Sequence, residues 1–247
     1  MYNTTVRPQA ISHRGLRTTA PENTIPAFRA ALAAGAEGIE LDVHTSVDGI
    51  VFVHHDAEIS PLKGAHPDRH DDAPRGAISA LHASDIVTIR LADDTPIPTL
   101  DQVLTEFAGE AFVYVELKAA GCEDAVKSCI IRHESTLAKC AVHSFDHRAV
   151  KRVVELLPSL RTGILQVSYP IDSRVGMRAA GATDLWQHVD FVDAALVADV
   201  HASGGRVIAW TANSRTEWQR LTAAGVDGIC TDRVDEYVAW RDENSRA

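Results

Sequence analysis

Glu40 and Asp42 stand two positions apart in the run Gly38-Ile39-Glu40-Leu41-Asp42-Val43. A strand alternates its side chains at period two, so both carboxylates fall on one face. Strand interiors disfavour Asp and Glu, while Ile39, Leu41 and Val43 read as core-facing. A second run, Phe112-Val113-Tyr114-Val115-Glu116-Leu117, carries Glu116 in the same setting and is followed by Lys118. Three converging carboxylates raise one another's pKa values unless a cation lies among them. The spacing therefore predicts one hard divalent ion, Mg²⁺ or Ca²⁺, on oxygen ligands from Glu40, Asp42 and Glu116. His13 and His55 end two further strands, with Arg14 beside the first. Histidine titrates near neutrality, so a pair can divide general-base and general-acid work. Arg14 and Lys118 supply positive charge for an anionic oxygen. The set describes metal-assisted phosphoryl chemistry better than acyl transfer. The chain contains no G-x-S-x-G nucleophile elbow and no H-E-x-x-H zinc-peptidase motif.

One turn signal bears on the same residues. Val47-Asp48-Gly49-Ile50 carries Asp-Gly, the signature of a two-residue type I′ hairpin. There is no room for a crossover helix, so the second and third strands should pair antiparallel. Centring the turn on Asp48-Gly49 predicts Asp42 opposite His55 on one face. His66, His70, His82, His133, His147, His188 and His201 read as surface or loop residues, and His54 as a structural one facing away from His55.

The elements that must position these groups repeat as a short apolar strand followed by an amphipathic helix. Thr24 is a candidate N-cap, with Pro26 in the first turn and Gly35 after the last, around a stripe of Ile25, Phe28 and Leu32. Thr99-Leu100-Asp101-Gln102 and Ser214-Arg215-Thr216-Glu217 are capping boxes. Asp146 caps a helix carrying Val150, Val154 and Leu157. About eight strands in βα alternation over 247 residues predict an α/β fold, a TIM-type (β/α)8 barrel with one antiparallel hairpin at its second and third strands. A doubly wound sheet is disfavoured by the absence of G-x-G-x-x-G and of a P-loop. No linker divides the chain, so residues 1–247 read as one barrel domain. Its irregular excursion runs over about 60–98, with a helix near Ile78–Ile86.

Composition limits the partners. Lys plus Arg number 24 against 34 Asp plus Glu, a formal net charge of −10. That balance argues against nucleic acid, which calls for a concentrated basic face. Within the candidate site, one divalent ion with Arg14 and Lys118 outweighs the three carboxylates, so a small anionic diester is accepted once the metal is bound. No window approaches 18 consecutive apolar residues, and the N-terminal stretch lacks the apolar core of a signal peptide, so neither membrane insertion nor export is expected. Cys122, Cys129, Cys140 and Cys230 form no Cys-x2-Cys pair and read as reduced packing residues of a cytoplasmic protein.

The ordered set of motifs resembles the glycerophosphodiester phosphodiesterase family of phospholipase-C-like barrels. The resemblance runs from His13-Arg14-Gly15 and Pro21-Glu22-Asn23-Thr24 through Gly38–Val43, Asp48-Gly49 and Val53-His54-His55-Asp56. It resumes at Ile97-Pro98-Thr99-Leu100, Val115–Lys118 and Ser144-Phe145-Asp146. It closes on Ala209–Asn213 and Gly225–Asp232, covering nearly the whole chain. It implies hydrolysis of a small-molecule glycerophosphodiester to sn-glycerol 3-phosphate and an alcohol. By that analogy Glu40, Asp42 and Glu116 hold the metal, His13 is the base and His55 the acid. Arg14 and Lys118 bind phosphate, and Trp210 and Phe145 line the glycerol side. Glu22 orients His13 or Arg14, or assists the metal. After His55-Asp56 the family's Leu-x-Arg-Thr-Thr-like run is replaced by Ala57–Lys63, which leaves the leaving alcohol open. A lysophospholipase D on the same barrel needs an apolar mouth, for which no amphipathic helix is visible. A non-catalytic phosphodiester-binding barrel would lack an acid, base or metal residue, and none is missing.

Overall fold

Helix starts in this chain are set by side chains that satisfy otherwise free N–H groups. Thr24 accepts from the Ala27 amide ahead of α1 (Ile25–Ala33). Thr99 and Gln102 form a reciprocal capping box at α3 (Leu100–Phe107), with a one-turn α2 (Ala83–Ile86) before it. After α4 (Glu123–Arg132), Asp146 caps α5 (His147–Leu156) by accepting from the Arg148 amide. α6 (Arg174–Ala180) precedes α7 (Ala194–Ala202), capped by Asp193, and α8 (Arg215–Ala224), opened by the Ser214–Glu217 box. α9 (Val234–Asn244) is last. This computed structural model describes residues 7–59 and 76–244.

Between the helices run β1 (Gln9–His13), β2 (Gly38–Thr45), β3 (Val51–Val53), the short β4 (Glu58–Ile59) and β5 (Gly76–Ala77), and β6 (Phe112–Leu117). They continue with β7 (Cys140–Ser144), β8 (Arg161–Gln166), β9 (Asp184–His188), β10 (Arg206–Trp210) and β11 (Gly228–Thr231). Among the described residues eight strands pair in parallel, in the order β1-β2-β6-β7-β8-β9-β10-β11. Ile11 opposite Gly38 and Gln9 opposite Gly228 close the ring. The fold is the expected (β/α)8 barrel, with β3 added antiparallel to β2 outside the ring.

The hairpin forms, but in a different register. Val43 lies opposite Val53 and Thr45 opposite Val51. That places His54, not His55, across from Asp42, and the His54 amide donates to the Asp42 carbonyl at 3.0 Å. The turn holds three residues rather than two. The Ser46 amide donates to the Ile50 carbonyl (2.9 Å), and Gly49 takes the left-handed position, φ +86°, of a longer loop. The Ser46 hydroxyl, donating to Asp48 and accepting from the Ile50 amide, stabilises that wider turn. A one-residue shift exchanges which neighbour faces Asp42.

Inside the barrel, the alternation of each strand stacks a lower layer of Ile11, Tyr114, Ala141, Leu165, Trp186, Ile208 and Cys230. Two positions further up the same faces come His13, Glu116, His143, His188, Trp210 and Asp232. Gly163 permits this filling: a Cβ there would sit 2.7 Å from the Trp186 ring. Outside the ring, strands and helices share two larger apolar clusters. On α1 the deeply buried residues are Ala27, Phe28 and Ala31, with Ile25 and Leu32 half-buried at the edges. On α5 they are Ala149, Val150 and Val153. Of the expected excursion, residues 60–75 lie outside the described residues. The helix expected near Ile78–Ile86 is a 3-10 turn, Ile78–Ala80, and the separate α2. Extended Leu81 and His82 (ψ 147° and 151°) interrupt it. Together they cover a small core of Phe52, Ile59, Ile78, Ile86, Ile89 and Ile97.

Candidate active site

The turn after β1 presses against β2 and α1 through two consecutive left-handed positions. Arg14 (φ +60°) and Gly15 (φ +86°) both turn the backbone left-handed, and a Cβ on Gly15 would meet the Ala27 backbone at 2.7 Å. A left-handed arginine is strained, and such strain persists where surrounding contacts over-determine it. Here the Arg14 amide donates to the Glu40 carbonyl (3.0 Å) and the Asn23 amide to the Arg14 carbonyl (2.9 Å). Asn23, itself at φ +59°, donates from its side chain to Asp42 Oδ2 (2.9 Å). Arg14 Nε lies 2.9 Å from the same oxygen, and its Nη1 donates to Glu22 at 3.2 Å. Arg17 holds the other Glu22 oxygen at 3.0 Å. Of the expected roles for Glu22, the geometry favours orienting Arg14.

Glu40, Glu116 and the previously unweighted His143 offer ligand atoms that all lie within 4.8 Å of one another. Asp42 lies beside this group rather than within it. Arg14 and Asn23 engage one oxygen, and Lys118 Nζ stands 3.5 Å from the other and 3.0 Å from Glu116. Glu40 and Asp42 are fully buried, and Glu40 Oε2 and Asp42 Oδ1 accept no hydrogen bond among the described residues. Burial, then the adjacent Asp42 charge, pushes the Glu40 carboxyl up to about 7. Burial and Glu40 raise Glu116 likewise. For Asp42 burial acts upward, but Arg14 and Asn23 outweigh it and hold the carboxyl below its ordinary value. Burial drives the His143 imidazole down to about 4, so it is neutral, the form that ligates metals. Its ring stacks on Trp186 at 4.1 Å, with 4° between the planes. Hard oxygens without partners, crowded and like-charged, fit a divalent cation.

His13 Nδ1 lies 2.7 Å from Asp232 Oδ1, and its Nε2 lies 3.9 Å from Glu40 Oε2. Asp232 is held in turn by the Asn213 side chain (2.7 Å) and Arg17 (3.1 Å). Burial lowers the His13 pKa, but the Asp232 hydrogen bond and the Glu40 charge outweigh it, and the net shift is upward. His55 Nδ1 pairs with Asp56 Oδ1, also at 2.7 Å, and its neighbour His54 is tied to Asp42 through the backbone at 3.0 Å. The off-register hairpin therefore still delivers His55 to the edge of the site, from the loop after β3.

A cleft of about 570 Å³ opens beside these groups, lined among others by Glu116, Lys118, Ser144, Phe145, Asp146 and Arg148. Phe145 meets Trp210 edge-on at 5.4 Å, and the Trp210 indole donates to the Trp186 carbonyl at 3.0 Å. All ten candidate residues gather at the C-terminal ends of the strands, where barrels of this kind hold their chemistry. Sequence reasoning passed over His143 and assigned no role to Asp232, Asn23 or Asn213. The available signal was a histidine near the end of the apolar run Cys140-Ala141-Val142-His143, although only the β6–β7 register places it opposite Glu116.

The family model of the glycerophosphoryl diester phosphodiesterase family matches residues 13–236. A glycerophosphodiester phosphodiesterase of Bacillus altitudinis is 29% identical, covering 94% of this chain and 97% of its own. One from Caldanaerobacter subterraneus is 29% identical, over 92% and 95%. An Oleispira antarctica phosphodiesterase, solved in complex with the product sn-glycerol-3-phosphate, superposes with a TM-score of 0.76 at 23% identity, covering 95% and 97%. With the match running through the left-handed turn, the carboxylate strands and the closing Thr231-Asp232, the chain belongs to the glycerophosphoryl diester phosphodiesterase family.

Proposed function

We propose that residues 1–247 act as one barrel domain that hydrolyses glycerophosphodiesters to sn-glycerol 3-phosphate and an alcohol, dependent on one Mg²⁺ or Ca²⁺. The observation that carries this reading is His13, bound to Asp232 at 2.7 Å, with Nε2 3.9 Å from buried Glu40 Oε2, which accepts no hydrogen bond among the described residues. Glu40 and Glu116 would hold the cation with His143 as an additional neutral ligand, and Asp42, the third carboxylate expected from the sequence, would join them from beside the group. When bound, the ion supplies Lewis-acid stabilisation of phosphoryl charge.

The chain's own residues account for the rest. Asp232 takes the Nδ1–H of His13 and so leaves Nε2 as the acceptor for a proton from water or from the glycerol 2-hydroxyl. His55, oriented by Asp56, donates to the departing alkoxide. Arg14 and Lys118, both beside Asp42, contact phosphate oxygens, and Trp210 and Phe145 wall the glycerol side. No helix among the described residues is long and apolar enough to cross a membrane, and the four cysteines are buried and free, in keeping with the cytoplasm. The test is a panel of glycerophosphocholine, glycerophosphoethanolamine and glycerophosphoglycerol, with and without EDTA. The reading requires release of sn-glycerol 3-phosphate that chelation abolishes. Turnover indifferent to chelation would remove the metal role, and no turnover would remove the reading.

A further inference from the structure

His188 reads from the sequence as a surface or loop residue, but the structure places it in the barrel mouth. It ends β9 two positions above Trp186, on the same inward face, and lies opposite Trp210 in the β9–β10 register. An eight-stranded barrel is just wide enough for its own side chains, so residues of this upper layer surround one space. The His188 ring meets the Trp210 indole at 5.3 Å and 87°, and Phe145 meets the same indole at 5.4 Å and 78°. Phe145 in turn lines the cleft together with Glu116 and Lys118. The three rings thus form one wall that starts at the cleft. Most polar atoms along it are already committed. The Trp210 N–H is spent on the Trp186 carbonyl, and the Ser144 hydroxyl on the Leu117 carbonyl. Arg148 chelates Asp146, and Glu116 holds Lys118 at 3.0 Å. His188 differs. Its Nδ1 accepts from the Asp190 amide at 3.4 Å, with the Asp190 carboxylate beyond hydrogen-bond range at 3.7 Å. An accepting Nδ1 leaves the ring proton on Nε2. That nitrogen has no partner among the described residues, and the side chain is 32% exposed.

We propose that His188 donates from Nε2 to the terminal hydroxyl of the glycerol unit, and so sets the preference for glycerol over alcohols that lack this hydroxyl. The inference rests on the hydrolytic reading above, with glycerol against Trp210 and Phe145. A hydroxyl laid against aromatic rings gives up water and recovers that loss only where the wall supplies a partner. The 2-hydroxyl stays close to phosphorus and to His13. The terminal hydroxyl extends furthest from phosphorus, along the wall toward His188. Packing of the imidazole on Trp210 holds the donor in place, so little ordering is left for substrate to impose. The interaction is made equally before and during bond cleavage, so it acts on KM rather than kcat.

The test compares glycerophosphocholine with 2-hydroxypropyl phosphocholine, which lacks only the terminal hydroxyl, in the wild type and in His188→Phe and His188→Gln variants. The wild type should show a KM about tenfold higher for the deoxy diester, with kcat within about twofold. His188→Phe keeps a ring against Trp210 but no donor. It should raise KM for glycerophosphocholine about tenfold and leave the deoxy diester within about twofold, so that the two become alike. His188→Gln keeps a donor at about the reach of Nε2 and should restore most of the discrimination. A wild type that does not distinguish the two diesters would overturn the assignment without any variant. A His188→Phe variant that keeps the wild-type KM, or that weakens both diesters equally, would overturn it too, the second outcome reducing His188 to packing. Cleavage of neither diester by the wild type would overturn the hydrolytic reading along with it.

Discussion

At the floor of the barrel Asp184 is buried between Arg161 and Arg206, whose nitrogens stand 3.7 and 3.8 Å from its oxygens, and Thr183 donates to it at 3.1 Å. Nearby, Arg241 holds Glu37 at 2.8 Å. At the mouth Glu40, Asp42 and Glu116 are equally buried, and three carboxylates face the two cations Arg14 and Lys118. Burial raises the carboxyl pKa in both places, for Asp184 as for Glu40 and Glu116. What differs is the supply of fixed cations. The floor sets two arginines of the same chain against one carboxylate, so its charge is balanced even though Asp184 Oδ2, like the mouth oxygens, accepts no hydrogen bond among the described residues. The mouth keeps more negative charge than Arg14 and Lys118 balance, so it gains stability from an added cation. The candidate site lies where the carboxylates outnumber the chain's own cations.

The largest expected effect is at the mouth. Glu40→Gln should lower kcat/KM by about 10³-fold or more, as the loss of a ligand for the charge-stabilising ion requires. It should also raise the Tm measured in EDTA, because it relieves repulsion with Asp42. Divalent cation should raise the Tm of the wild type but not of this variant. A variant destabilised in EDTA would make the two ends alike and remove the contrast.

His13→Ala should cost about 10² to 10⁴ in kcat, the usual worth of a general base, and full turnover would sink the assignment. The pH dependence sharpens it. His13 acts unprotonated, and its pKa is raised, so kcat/KM should climb with pH through a midpoint above the ordinary histidine value. Asp232→Asn removes a raising contact, so the midpoint should move to lower pH along with a drop in rate. An unmoved midpoint would detach Asp232 from the base.

At the floor, Arg206→Ala should cost about 2 kcal/mol of stability, since it leaves Asp184 with Arg161 alone. Denaturant melts would show this, while kcat/KM stays within about twofold. A large loss of activity with an intact fold would tie the floor to the chemistry. Smallest is Arg148→Ala, at a side chain 91% exposed, which should leave the denaturant midpoint unchanged.

Much of this was readable before folding because it is local. The Thr24, Thr99, Asp146 and Ser214 caps, the Gly49 turn and the Glu40-x-Asp42 parity each depend on residues within a few positions. On α3 Leu100, Val103, Leu104 and Phe107 are buried at plain helical spacing, whereas on α1 and α5 the deeply buried set is offset, to Ala27, Phe28 and Ala31 on α1, because the neighbouring elements as well as helix period decide which side meets the core. The hairpin register slipped for a side-chain reason, the Ser46 hydroxyl stabilising a three-residue loop that Asp-Gly alone does not specify.

The two histidine–aspartate pairs mark the division most clearly. His55 and Asp56 are adjacent in sequence, and their 2.7 Å contact follows from chain connectivity. His13 and Asp232 are separated by 219 positions and meet at the same distance only because β1 pairs with β11 and closes the ring. His143 joins Glu116 for the same reason, through the β6–β7 register. The sequence by itself determined which residue types lie on which strand face and how each helix begins, since these are properties of short stretches of backbone. Only the tertiary structure decided which faces meet, because barrel closure and strand register bring distant positions within bonding range.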